Sequence, residues 1–121
     1  MEPLIVVDAA NVVGSRPDGW WRDRAGATRR LLAELDGYRG DGALVLVTEG
    51  RARVDGPSGG RVAVVHAARS GDDRIVELVA EALAAAPGRA VTVVTADRGL
   101  RDRVTALGAT TAGPRWLWDR L

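Results

Sequence analysis

The sequence predicts an α/β fold in which an open parallel sheet of four to five strands carries helices on both faces. Short apolar runs rich in β-branched residues alternate with segments whose apolar residues recur every three or four positions. Runs that are apolar throughout are typical of strands buried on both faces. Strands that alternate with helices through short connections indicate a parallel sheet with right-handed crossovers. We expect residues 1–121 to form a single domain, which is long enough to bury a sizeable core.

The individual elements follow from these patterns in chain order. The predicted strands are Leu4–Asp8, Ala43–Thr48, Val62–His66 and Ala90–Thr95, with a weaker fifth strand near Ala109–Thr111. The predicted helices are Arg24–Leu35, Asp72–Ala86 and Asp97–Leu107. A glycine or a Pro-Gly pair follows each helix closely, as is typical of helix ends. The segment Glu49–Gly60, rich in Gly and Arg, is predicted to be a mobile loop within the domain.

The composition excludes several classes of site. The chain has no Cys, which excludes disulfides, Cys-ligated zinc and thiol catalysis. His66 is the only histidine, so a His-rich metal site is excluded as well, and we expect His66 to be structural. Any bound metal must therefore be held by oxygen atoms, which Mg²⁺, Mn²⁺ and Ca²⁺ prefer.

The charge and the hydropathy leave the binding partner open. The formal net charge is +1, and all 17 basic residues are Arg. That balance does not by itself indicate a nucleic-acid-binding protein. No apolar stretch approaches the roughly 18 residues of a membrane span, so we expect no membrane partner and a cytoplasmic location.

Acidic residues follow three of the predicted strands. Asp8 ends the first strand, Asp72 and Asp73 open the helix after the third, and Asp97 follows the fourth. In open α/β sheets, ligands bind beyond the carboxyl ends of the strands, where the strand order reverses. We therefore expect these acids to meet over one crevice. Carboxylates brought together repel one another, so the pattern indicates a cation site and, through it, metal-assisted phosphodiester hydrolysis.

Helix capping is an alternative explanation for most of these acids. Asp97 can cap its own helix, and Ser70 with Asp73 fits the S-x-x-D capping pattern. Asp8 is different, because Ala9–Val13 follow it with no obvious helix start. We expect capping to explain Asp8 poorly, which makes its functional role the clearest.

Three motifs carry a resemblance to a known family. V-V-D-A-A-N, S-G-D-D-R-I-V-E-L and V-V-T-A-D-R-G-L occur in this order between Leu4 and about Leu107. They resemble the NYN (YacP-like) branch of the PIN-like ribonuclease superfamily. The resemblance implies a PIN-like, Rossmann-like fold. It also implies a metal-dependent endoribonuclease that hydrolyses phosphodiester bonds of single-stranded RNA with one or two Mg²⁺ or Mn²⁺ ions.

The same resemblance implies roles for the residues of the motifs. The catalytic group would consist of Asp8, Asn11, Asp72, Asp73 and Asp97. Among them Asp8, Asp73 and Asp97 would bind the metal. Asp72 would either bind the metal as well or contact the residues that do. Asn11 would orient Asp8 or a bound water, and Thr95 would form a hydrogen bond within the acidic cluster.

Two further acids stand outside this set. Asp102 lies near the place where some relatives carry another acid, and we interpret it as a solvated surface residue. Glu49 either lines the far side of the crevice or merely begins the loop, and we leave it outside the ligand set.

Residues around the expected crevice are candidates for contacts with RNA. They are Arg16, Trp20, Arg22, Arg51 and Arg98, with Arg53 as a further phosphate contact. Trp20 can stack on an unpaired base, and arginines neutralise phosphates. We expect Trp21 to fill the core instead. Trp116 and Trp118 are expected to pack against the sheet or against a second subunit.

Two other functions remain open at this point. One is a degenerate PIN-like module that binds RNA or a protein without cleavage, and the other is a toxin ribonuclease of a toxin–antitoxin pair. A homodimer and a ribosome or other protein partner also stay open. Receiver domains need a Lys, which is absent, and no G-x-G-x-x-G or G-x-x-x-x-G-K-[ST] loop supports nucleotide binding.

Overall fold

A five-stranded parallel sheet forms the centre of the protein. The computed structural model describes residues 1–54 and 61–121. The strands are β1 (Leu4–Asp8), β2 (Ala43–Thr48), β3 (Val62–His66), β4 (Val91–Val94) and β5 (Thr110–Ala112). Their order across the sheet is β3-β2-β1-β4-β5, and every neighbouring pair is parallel. The predicted fold class is confirmed, and the weak fifth strand is present.

Five helices accompany the sheet within the described residues. They are α1 (Ala9–Gly14), α2 (Arg24–Leu35), α3 (Gly71–Ala85), α4 (Arg98–Ala106) and α5 (Pro114–Trp118). Short 3₁₀ helices occur at Trp20–Arg22 and Gly50–Ala52. The three long helices match the predicted ones to within a residue at each end. The sequence patterns did not predict α1 and α5, because helices this short cannot display a repeating apolar face.

The two faces of the sheet are covered by different helices. Ile5 and Val7 belong to one buried cluster, together with apolar residues of α1, α2 and α5. Leu4 and Val6 belong to the other cluster, with residues of α3 and α4. Successive side chains of a strand point to opposite faces, so the continuously apolar run Leu4–Val7 supplies both clusters. Helices on both faces are thereby confirmed.

The strand order reverses beside β1. β2 and β3 lie on one side of β1, and β4 and β5 lie on the other. In β1 and β4, Val7 pairs with Val94, so the next residues, Asp8 and Thr95, are neighbours where both strands end. A reversal of this kind opens a crevice at the carboxyl ends of the central strands.

Two other expectations concern loops and membranes. The predicted loop Glu49–Gly60 begins with the 3₁₀ helix Gly50–Ala52, and its residues 55–60 lie outside the described residues. Within residues 1–54 and 61–121, no helix is long and apolar enough to cross a membrane.

The burial of α5 leads to a test of its place in the core. Leu117 is completely buried in the cluster shared with α1 and α2. We expect Leu117→Ala to lower the free energy of unfolding by about 2–5 kcal/mol, because it leaves a cavity in a packed core. Urea unfolding followed by circular dichroism measures the change. Leu107→Ala is the matched control, since Leu107 is 41% exposed, and we expect its effect to stay within about 0.5 kcal/mol. Equal effects of the two substitutions would contradict the packing described for α5.

Candidate functional site

An open crevice with acidic walls lies at the carboxyl ends of β1, β2 and β4. Its volume is about 370 Å³, and its lining includes Asp8, Asn11, Glu49, Asp72 and Asp97. We call it the acidic crevice. Four carboxylates from four separate segments meet there: the end of β1, the residue after β2, the first turn of α3 and the residue before α4. The reversal of strand order brings these segments together.

Asp8 is the most buried acid of the crevice. It is 6% exposed. Its Oδ2 accepts a hydrogen bond from the Thr95 hydroxyl at 2.9 Å, and its Oδ1 accepts one from the Asn11 backbone N–H at 3.4 Å. The second contact caps α1, which begins at Ala9. The expectation that capping explains Asp8 poorly was therefore wrong, because a helix of six residues does follow it.

Thr95 and Asn11 join Asp8 to the segment that carries Asp97. The Thr95 Oγ1 accepts a hydrogen bond from the Asp97 backbone N–H at 3.1 Å. The Asn11 Oδ1 accepts one from the Ala96 backbone N–H at 2.8 Å. Asp97 in turn caps α4, because its Oδ1 accepts a hydrogen bond from the Leu100 N–H at 2.8 Å. The side chain of Asn11 thus holds the β4–α4 connection in place.

The two acids at the start of α3 are separated. Ser70 caps the helix, as its pattern predicted, by accepting a hydrogen bond from the Asp73 N–H at 3.3 Å. Asp72 is half-buried and lines the acidic crevice. The side chain of Asp73 is 63% exposed and forms an ion pair with Arg103 at 3.0 Å. The structure therefore brings Asp72, but not Asp73, to the acidic crevice.

Glu49 lines the acidic crevice, although the predicted set of metal ligands did not include it. It directly follows β2, and its Oε2 accepts a hydrogen bond from the Gly71 N–H at 3.0 Å. Glu49 was expected either to line the crevice or only to begin the loop, and the structure shows that it lines the crevice. Its position after an apolar strand is the signal that Asp8 and Asp97 share, so the same rule would have included it.

Burial and neighbouring carboxylates raise the pKa values of two acids of the crevice, Asp8 and Asp72. Burial raises the pKa of Asp8 from 3.8 to about 6; the hydrogen bonds from Thr95 and Asn11 oppose this rise, and the charges of Asp72 and Glu49 add to it. Burial also raises the pKa of Asp72, and the charges of Asp97 and Glu49 contribute further. The charge of Arg103 opposes the rise at Asp72, but the net shift of both acids is upwards, which agrees with a concentration of negative charge in the crevice.

The donor atoms of the crevice suit a hard divalent cation. Carboxylate oxygens are the ligands that Mg²⁺ and Mn²⁺ prefer. Within residues 1–54 and 61–121, however, no group of three or more Asp, Glu or His side chains is arranged so that it could hold an ion. Direct binding of one ion by three of these side chains would therefore require the carboxylates to rotate towards one another.

Trp20 and Trp21 lie between α1 and α2, and their environments differ from those expected. Trp20 is half-buried and packs against the core cluster that contains α2. Trp21 is 55% exposed, so the expectation that it fills the core was wrong. Their rings meet edge to face, with centroids 5.9 Å apart. Trp20 lines a groove beside the acidic crevice together with Arg51.

The arginines predicted to contact RNA lie in different places. Arg51 borders the groove of Trp20, and Arg22 lies near Trp21, with its guanidinium carbon 5.9 Å from the ring centroid. Arg98 is exposed and is the first residue of α4. Arg16 lies apart from the acidic crevice, because its guanidinium carbon is 3.3 Å from the Trp118 ring centroid and it pairs with Glu34 at 3.4 Å. Arg53 is exposed beyond the second 3₁₀ helix.

The remaining predictions concern structural residues. Trp116 and Trp118 pack against the core cluster that contains Leu117, as one of the two expectations had it, and the Trp118 Nε1 donates to the Ser15 Oγ at 3.0 Å. The Nδ1 of His66 shares a hydrogen bond with the Thr48 Oγ1 at 2.8 Å, which agrees with a structural role. Asp102 is exposed.

The fold and the crevice define a class: a Rossmann-like α/β protein with an acidic site where the strand order reverses. No family model and no curated protein matches the chain. The structure of Rae1 (YacP) from Bacillus subtilis is similar, with 23% identity, a TM-score of 0.77 and coverage of 96% of this chain and 71% of that one. Its W164L mutant gives a TM-score of 0.75 at 23% identity, with coverage of 97% and 73%. The chain therefore has a YacP-like fold.

The raised pKa of Asp8 predicts how stability depends on pH. Between pH 3.8 and about 6, folded Asp8 keeps a proton that the unfolded chain releases, so the free energy of unfolding falls as the pH rises through this window. The rise from 3.8 to about 6 corresponds to a loss of about 3 kcal/mol. Asp8→Asn has no such dependence, so relative to the wild type it should gain stability from pH 4 to pH 7.

Urea unfolding at several pH values, with EDTA present to remove divalent ions, measures this difference. Asp41→Asn is the matched control, since Asp41 is exposed, and it should run parallel to the wild type. A constant difference between Asp8→Asn and the wild type across the window would contradict the raised pKa.

Proposed function

We propose that this protein is a metal-dependent endoribonuclease that hydrolyses phosphodiester bonds of single-stranded RNA. The observation that carries the proposal is the acidic crevice itself, which gathers Asp8, Glu49, Asp72 and Asp97 at the reversal point of a YacP-like sheet. The resemblance of the three motifs to the PIN-like ribonucleases supports the same reaction. RNA is the proposed partner, and Mg²⁺ or Mn²⁺ is the proposed cofactor.

We assign the ion to Asp8, Asp72 and Asp97. The resemblance implies Asp73 as the ligand from α3, with Asp72 as a ligand or behind it. Asp73 is already paired with Arg103, whereas Asp72 lines the crevice and is repelled by Asp97 and Glu49. A cation placed between these carboxylates would relieve that repulsion, so Asp72 is the better candidate. Glu49 is the fourth carboxylate and borders the same space.

The protein's own residues would fix the geometry of the reaction. When bound, a divalent ion of this kind supplies an activated water and neutralises charge on the phosphate. The Thr95 hydroxyl holds one oxygen of Asp8, and the Leu100 N–H holds one oxygen of Asp97. Each of these carboxylates is therefore restrained through one oxygen. Asp72 lies in the first turn of α3, where the helix dipole favours a negative charge.

A module that binds RNA without cleavage is the second candidate. It is favoured by the finding that no three acidic or histidine side chains of the described residues are arranged to hold an ion. Titration calorimetry with MnCl₂ separates the two functions. The nuclease should bind Mn²⁺, and Asp8→Asn should abolish that binding. A protein that binds RNA but shows no heat of Mn²⁺ binding would be the non-cleaving module.

The contrast between Asp72 and Asp73 gives a sharp test of the proposed reaction. We expect Asp72→Asn to lower the rate of Mg²⁺- or Mn²⁺-dependent cleavage of a labelled single-stranded RNA by at least about 100-fold, as loss of a ligand should exceed the 10- to 100-fold effects of outer-shell changes. Asp73→Asn removes only an exposed ion pair and should change the rate less than about 3-fold, since such pairs contribute little.

The two substitutions are adjacent, chemically identical and on the same helix, so each controls for the other. Asp8→Asn and Asp97→Asn should also abolish cleavage, and EDTA should do the same to the wild type. Asp41→Asn should keep full activity, because Asp41 is exposed and does not line the acidic crevice. A large loss in Asp73→Asn with an active Asp72→Asn would overturn the assignment of Asp72. Full activity in both Asp8→Asn and Asp97→Asn would overturn the proposed reaction.

A further inference from the structure

A second cavity adjoins the acidic crevice and differs from it in chemistry. Its volume is about 380 Å³, and it shares Ala10 and Glu49 with the crevice. Its apolar wall includes Val13, Trp20 and Ala52, and its charged side chains include Arg24, Arg51 and Arg69. We call it the tryptophan groove. Three arginines and one carboxylate line it, which is the opposite charge balance to that of the acidic crevice.

The tryptophan groove has the properties of a ligand site. Its volume lies in the range of small-molecule pockets, which combine apolar walls with a few polar groups. Trp20 is supported from behind by the core cluster and from the side by Trp21. The hydroxyl of Thr28 is already engaged with the backbone oxygen of Arg24 at 2.8 Å. Recognition would therefore depend on the aromatic face and the arginines.

The arginines of the groove form no ion pairs among the described residues, although Arg24 lies over the Trp20 ring. Among the described residues 1–54 and 61–121, Arg24, Arg51 and Arg69 have no ion-pair partner, whereas Arg16 and Arg103 each have one and Arg74 has two. The guanidinium carbon of Arg24 is 5.5 Å from the Trp20 ring centroid. Arg24 and Arg51 also border an outer cavity with Trp21 and Arg22, so the basic surface continues outwards.

A flat group with attached negative charge complements this surface. A nucleobase has an apolar face that stacks on tryptophan, and its phosphate pairs with arginine. We propose that the tryptophan groove is a nucleobase-binding subsite, in which a base next to the cleaved phosphodiester stacks on Trp20 and its phosphate contacts Arg24, Arg51 or Arg69. This inference rests on the proposed function. It adds Arg24 and Arg69 to the residues proposed to contact RNA. It also implies that the cleaved phosphodiester lies next to the base that stacks on Trp20.

The contribution of the bases can be measured separately from that of the phosphates. Fluorescence anisotropy in EDTA measures the affinity of the protein for two labelled strands of the same length. One is a short oligouridylate, and the other is an abasic strand. Removing the bases should weaken binding to the wild type about 5- to 150-fold, the range expected for one stacked base. For Trp20→Ala the same comparison should give less than about a 2-fold difference, because the stacking surface is gone.

A second variant keeps the test decisive if Trp20→Ala fails to fold. Ala52→Leu leaves Trp20 in place and narrows the groove, so it should also reduce the preference for strands with bases. Wild-type protein that binds both strands equally would overturn the proposal. So would a folded Trp20→Ala or Ala52→Leu that keeps the full preference.

The phosphate contacts have their own matched pair of variants. Arg24→Ala should reduce the slope of log affinity against log salt by about 0.7, the value for one phosphate of a single strand. Arg29→Ala, on the same helix but exposed and outside the groove, should leave the slope unchanged. Equal slopes for both variants would remove Arg24 from the subsite.

The binding assay contains no divalent ion, so its outcome is independent of cleavage. A preference for bases that depends on Trp20, in a protein that never cleaves RNA, would support the groove and overturn the nuclease. Cleavage without such a preference would support the nuclease and overturn the groove.

Discussion

The buried hydrogen bond between Thr95 and Asp8 is the contact on which the site depends. It joins the end of β1 to the residue that follows β4, beside the reversal of strand order. Thr95 also accepts the N–H of Asp97, so one hydroxyl sets the relative position of two acids. A carboxylate with so little access to water needs such partners, because an unpaired buried charge is strongly destabilising. The same interaction thus satisfies the fold and orders the crevice.

The sequence predicted the strands and long helices well because their apolar periodicity is a local property. It could not distinguish Asp72 from Asp73, or Trp20 from Trp21, because adjacent residues on a helical turn point in different directions. Distant partners decide which acid faces the crevice and which tryptophan packs against the core: Arg103 pairs with Asp73, and Trp20 packs against the cluster that contains α2. The helix α1 was missed since its six residues are too few for a pattern, and with it the capping role of Asp8.

The near-neutral net charge of the chain conceals a separation of charges at the site. Carboxylates line the acidic crevice, and arginines surround the tryptophan groove next to it. A polyanion approaching the crevice alone would be repelled, whereas the neighbouring arginines attract it. The net charge of +1 is a sum over the whole chain and does not reveal these two surfaces. Their arrangement becomes visible only when the parallel sheet brings the segments after β1, β2 and β4 to one edge.

The hydrogen bond between Glu49 and Gly71 spans 22 positions of the chain and connects the end of β2 directly to the start of α3. The chain between these two residues leaves the crevice, forms β3 and returns. The surface connections on either side of β3 can therefore change in length without displacing Glu49 or Asp72, since longer surface connections cost little free energy. Residues on these connections that contact a ligand can therefore differ between proteins of this fold, while the positions of the acids in the crevice stay the same.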